Sequence, residues 1–126
     1  MNRPIRIPGP DHPITVQRTT ARVRVFVADQ LVADSVSTLV LREADYSPVY
    51  YFPPEDVVTN LLSASQRTTY CPFKGDCSYY DIPIGGSRSQ AAVWFYREPY
   101  EAVVEIKGRL AFYPDRVDKV EVEESA

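Results

Sequence analysis

The sequence predicts a mainly β domain of about seven or eight strands with one or two short helices. Apolar and polar residues alternate at period two in several separate segments, and those segments are rich in valine, tyrosine and other β-formers. The eleven prolines fall at segment ends, where they bound strands without breaking ladders.

The first segment, residues 1–13, carries Arg3, Pro4, Arg6, Pro8, Pro10 and Pro13 and reads as a proline-rich head outside the fold. Val23, Val25 and Val27 then share one face while Arg22 and Arg24 take the other, the pattern of a half-buried strand. Asp29 marks a turn. Leu39 and Leu41 alternate with Thr38, Val40 and Arg42 in a further strand. Pro53-Pro54-Glu55-Asp56 places proline and acids where a helix begins, with Val57, Leu61 and Leu62 at helical spacing behind them. Gly85-Gly86 predicts a hairpin-type turn. Ala92, Trp94 and Tyr96 alternate with Val93 and Phe95, and a second helical turn is expected from Tyr100 to Lys107, closed by Gly108. Val120 and Val122, flanked by Lys119 and Glu121, make a terminal strand, so one domain covers 14–122 and an acidic tail covers 123–126.

A chain of 126 residues suffices for one hydrophobic core. The net charge of −3 and the scattered basic residues disfavour nucleic acid as a partner, because that binding depends on clustered Lys and Arg. No apolar run approaches the roughly 20 residues of a bilayer span, so no membrane association is expected. The head lacks the apolar region of a secretory signal, and the expected location is the cytoplasm.

Several motifs in order resemble one family. Leu-Arg-Glu-Ala-Asp-Tyr-Ser-Pro-Val-Tyr-Tyr-Phe-Pro-Pro-Glu-Asp-Val at 41–57, Thr-Tyr-Cys-Pro-Phe-Lys-Gly at 69–75, Ser-Tyr-Tyr at 78–80 and Ala-Phe-Tyr-Pro-Asp-Arg-Val-Asp at 111–118 are similar to those of domain of unknown function 427. The resemblance implies a β-tent, two antiparallel sheets leaning together, as in methionine sulfoxide reductase B and the ligand-binding domain of cereblon. The family is sometimes labelled a nucleotidyltransferase domain. This chain shows neither a phosphate-cradling glycine loop nor paired metal-binding carboxylates at a usable spacing.

No metal and no cofactor are expected. Some β-tent proteins hold zinc between two Cys-x-x-Cys hairpins, whereas this chain has only Cys71 and Cys77, and its one histidine, His12, lies in the head. Cys71, with Lys74 close in sequence, is either a thiol nucleophile or a small buried residue, and no histidine is placed by sequence to serve it. Arg42 and Glu43 are adjacent on a strand and point to opposite faces, so one of them at most lines a given pocket. Arg42 offers a bidentate fork for an anion, or pairs with Glu55 or Asp56. Lys74-Gly75 joins a mobile charge to a permissive backbone, either at a ligand or in a simple β-turn. Tyr50 and Tyr51, like Tyr79 and Tyr80, face opposite ways, while Trp94 and Tyr96 share a face.

The leading expectation is a binding module for a small anionic or polar molecule, with ligand contacts drawn from Arg42, Glu43, Tyr50, Glu55, Cys71, Lys74, Gly75 and Trp94. An enzyme using Cys71, or Glu43 or Glu55 with a tyrosine, is the alternative. A structural protein that self-associates through a sheet face is the third.

Overall fold

The computed structural model describes residues 3–124; the outermost residues of the expected head and tail, 1–2 and 125–126, lie outside the described residues. Among the described residues ten strands form three antiparallel sheets: β1 (Ile14–Arg18), β2 (Arg22–Val27), β3 (Gln30–Ser35), β4 (Leu39–Glu43), β5 (Val49–Tyr51), β6 (Ser63–Cys71), β7 (Gly75–Asp81), β8 (Val93–Phe95), β9 (Ala111–Phe112) and β10 (Lys119–Glu123). Sheet orders are β1-β4-β5, β10-β2-β3 and β6-β7-β8-β9. The mainly β architecture expected from the sequence is thus the one the chain adopts.

One backbone bridge explains how three sheets act as a tent. Phe52 exchanges both hydrogen bonds with Leu110, at 2.8 and 2.9 Å, and ties the inner edge of β1-β4-β5 to that of the four-stranded sheet. From this ridge the two sheets lean together, and Leu39, Leu41 and Tyr51 of one pack on Cys77, Tyr79 and Ala111 of the other and on Tyr96 just after β8. The third sheet covers the opposite side, where Val23, Val25 and Val27 meet Phe52, Val93 and Phe112. The alternation of β2 gives this burial directly, since its three valines are at most 1% exposed. Ala28 and Asp29, both at positive φ, close the two-residue hairpin into β3.

Four local expectations change. The segment after Pro53 forms two short 3-10 turns, Pro54–Asp56 and Thr59–Leu61, in place of one helix. Val57 is drawn out between them into a bridge with Ala33, and Val58 N donates to Val32 O at 2.8 Å, so tertiary pairing outweighs a weak helical preference in Val57-Val58-Thr59. Residues Glu101–Ile106 likewise form 3-10 backbone, kinked at Val103. Gly85-Gly86 does not make a tight hairpin but lies within the 3-10 stretch Pro83–Ser89. Ile82 N closes that longer connection on Ser89 O at 3.0 Å.

The head, read as lying outside the fold, is docked on it. Tyr70 Oη donates to Pro4 O at 2.6 Å, Arg6 N to Pro72 O at 2.9 Å and Ala44 N to Pro13 O at 2.8 Å, while Arg3 pairs with Asp76. This strap crosses the β6–β7 turn and brings His12 to the end of β4. Among the described residues no helix is long and apolar enough to cross a membrane.

Candidate functional site

A cavity of about 440 Å³ opens between the two leaning sheets. Leu41 and Glu43 of β4 and Val49 and Tyr51 of β5 line one side. Lys74, Cys77 and Tyr79 from the β6–β7 hairpin, Trp94 on β8, Tyr96 just after it, and Tyr113 after β9 line the other, with Tyr46 and Ser47 from the β4–β5 loop. Period two selects these residues on each strand: 41 and 43, 49 and 51, 77 and 79, 94 and 96.

The charged centre is a buried ion pair. Lys74 Nζ donates to Glu43 Oε1, with only 9% and 14% of the two side chains exposed. Glu43 Oε2 is bonded by His12 Nε2 at 2.6 Å, so both carboxylate oxygens are engaged. The His12 ring stacks on buried Phe73, with centroids 4.2 Å apart and planes 7° apart, which fixes the imidazole against the carboxylate. Burial pushes the Glu43 carboxyl up, but the hydrogen bonds from Lys74 and His12 outweigh it and hold the carboxyl below its ordinary value of 4.5. Lys74 Nζ also lies 3.8 Å from Cys71 Sγ, so four titratable side chains run in sequence from His12 to Cys71.

Aromatic rings make most of the remaining wall. Trp94 Nε1 donates to Tyr51 Oη at 3.1 Å and its indole packs on Tyr113 with centroids 4.4 Å apart. Tyr79 Oη is bonded to Thr69 Oγ1 at 2.8 Å. Burial raises the pKa of Tyr51 and Tyr96 strongly and that of Tyr113 to about 12. These hydroxyls therefore remain protonated at neutral pH and serve as neutral donors and acceptors. Burial also raises Cys77, which stays a thiol. The wall thus offers flat stacking surfaces and uncharged polar groups, with one buried ammonium among them.

Glu43, Lys74 and Trp94 come together here, whereas other expected contacts do not. Arg42 projects from the side of β4 opposite Glu43, is exposed and makes no ion pair among the described residues, so its expected convergence with Lys74 is replaced by that of Glu43. Nor does it pair with Glu55 or Asp56: Glu55 is exposed in the first 3-10 turn, and Asp56 accepts from Ser35 Oγ at 2.6 Å. Tyr50 lies across β5 from Tyr51 and lines a second cavity of about 190 Å³ that shares Ser47, Val49 and Trp94 with the first. Tyr80 also turns away and stacks on Phe95 at 4.7 Å. Gly75 serves the hairpin: its φ of +108° completes the tight turn, and a Cβ there would stand 3.3 Å from Glu98 O. Cys71 sits at the end of β6 beside Lys74, behind the cavity lining.

His12 is the participant that sequence reasoning missed, since no periodicity links the head to Glu43 across 31 positions. Tyr51, Tyr79 and Tyr96 carried the period-two signal, but not the sign of their face. Among the described residues no group of three or more His, Cys, Asp or Glu side chains is arranged to hold a metal ion.

Comparison with curated proteins finds no match. A family model described as a domain of unknown function (DUF427) matches residues 15–123, from the second residue of β1 to the last of β10, and so takes in every cavity-lining residue while leaving His12 just outside. On that span, most of its length, the chain belongs to the DUF427 family.

Proposed function

We propose that this domain is a binding module for a small polar or anionic molecule, held in the cavity between the leaning sheets. The observation that carries this reading is the buried ammonium of Lys74 in the lining of an aromatic cavity of about 440 Å³. Small-molecule sites have this make-up: apolar and aromatic walls with a few placed polar groups, in a volume of roughly 300–1,000 Å³. Glu43 and Cys71 face two directions of the Lys74 ammonium, and a third donor is left for a ligand.

A thermal-shift series of small carboxylates and phosphate esters tests the reading. At least one compound is expected to raise the melting temperature of the wild type, with a stabilisation of about 2.7 kcal/mol at a hundredfold excess over Kd. Lys74→Met should lose that shift relative to its own ligand-free value. Equal shifts in the two proteins would remove Lys74 from the site.

The contact between Cys71 and Lys74 favours a second reading, a thiol-dependent enzyme in which the ammonium faces the attacking sulfur. Iodoacetamide at pH 7 is then expected to label Cys71 about tenfold or more faster than Cys77, whose thiol is held protonated by burial. A Cys71 rate no greater than that of Cys77 would eliminate this reading.

A further inference from the structure

We infer that Arg67 is the anion-recognising residue at the mouth of the cavity, and that the ligand is a planar molecule bearing one negative group at its outer end. This rests on the binding role proposed above and specifies what is bound. The β6–β7 pairing runs regularly through Ala64↔Tyr80, breaks, and resumes at Thr68↔Ser78. Ser65, Gln66 and Arg67 therefore stand opposite the single residue Tyr79. Such a bulge re-aims side chains and is frequent beside functional sites. Arg67 N donates to Ser65 Oγ at 3.1 Å, closing the bulge, and the guanidinium lies 5.1 Å from the centroid of the Tyr79 ring. Tyr79 is a wall of the cavity, and Thr69 holds its hydroxyl.

Charge accounting at the cavity isolates Arg67. Lys74 and Glu43 neutralise each other, which leaves the third Lys74 N–H as a hydrogen-bond donor to the ligand with no net charge at that point to match an anion. Arg116 lies over the Tyr113 ring but commits its Nη1 to Gln90 O at 2.9 Å. Arg67 is exposed, and among the described residues it makes no ion pair. A guanidinium laid on an aromatic wall keeps its in-plane donors free for a carboxylate, sulfonate or phosphate. Trp94, packed on Tyr113, supplies the face for a planar body between that group and Lys74.

Two fluorescent probes with one ring skeleton test this: 8-anilinonaphthalene-1-sulfonate, and N-phenyl-1-naphthylamine, which lacks the sulfonate. The chain has one tryptophan, Trp94, which borders both cavities, so quenching of its emission that Lys74→Met alters locates a probe in the 440 Å³ cavity, the one that Lys74 lines. The wild type is expected to bind both, and Arg67→Gln to weaken the sulfonated probe about tenfold while leaving the neutral one within about twofold. Arg67→Lys should recover part of the loss, and added salt should narrow the difference between wild type and Arg67→Gln. If both probes quench Trp94 and Arg67→Gln changes their affinities equally or not at all, the assignment of Arg67 is overturned while the cavity reading stands. If neither probe quenches Trp94, both fail.

Discussion

Glu43→Leu is expected to cost about 3–5 kcal/mol of folding stability, the penalty for leaving a buried charge without its partner. The replacement strands the Lys74 ammonium, at 9% side-chain exposure, with only the Cys71 sulfur 3.8 Å away, and it removes the acceptor that holds His12. Urea denaturation with an unchanged m-value measures the loss. Glu43→Leu combined with Lys74→Met should recover most of it, because an apolar pair of similar volume need not be desolvated as ions. If the double variant is as unstable as Glu43→Leu alone, the loss comes from packing and not from charge. The same pair makes stability depend on pH. The folded-state pKa of Glu43 is depressed, so its contribution is fully present above about pH 4.5 and drains away as pH falls through the lower folded value. Wild type should lose stability on acidification more steeply than the double variant.

Phe52→Ala is expected to cost a similar 3–5 kcal/mol, for a different reason. Phe52 is 1% exposed, meets Phe112 edge to face at 5.4 Å, and carries the backbone bridge that joins the two leaning sheets. Its ring also borders the 190 Å³ cavity, so truncation enlarges an existing space most of whose other walls, Val25, Val49, Tyr50, Trp94, Phe112 and Val120, are fixed on strands. The site can collapse little, which places the cost high in the range. Recovery of stability on adding a small apolar compound such as benzene would show that the loss is a cavity; a loss under about 1 kcal/mol would show that the ridge is not a point of tight packing.

Legibility of the fold followed burial asymmetry. Strand β2 was plain because Val23, Val25 and Val27 are buried while Arg22 is exposed and Arg24 half-buried. Strand β3 has the pattern Gln-Leu-Val-Ala-Asp-Ser, with adjacent Val32 and Ala33 both buried, and gives no clean alternation. Strand β1 was hidden by its continuity with the proline-rich head. The same physics governs the site. Alternation required Arg42 and Glu43 to face opposite ways but could not choose between them, because Leu39, Val40 and Leu41 are all buried and both faces of β4 look apolar there. Tyr50 and Tyr51 posed the same choice, and the buried tyrosine faces the cavity. His12 and Arg67 had no legible signal: one arrives by the docking of a strap, the other by a bulge that breaks strand parity.

The side-chain Nε1–H resonance of Trp94 tests the central claim most directly. The chain has one tryptophan, whose ring borders both cavities but whose Nε1–H donates to Tyr51 Oη on the wall of the 440 Å³ cavity, so a two-dimensional nitrogen–proton spectrum contains one indole cross-peak that reports on this wall, and Lys74, which lines only that cavity, separates the two spaces. Titration with any compound that stabilises the protein is expected to move that cross-peak saturably, with the same Kd as the thermal shift, and Lys74→Met should weaken both. A compound that stabilises the protein and saturates while the indole cross-peak stays fixed would place the binding site elsewhere and contradict the account.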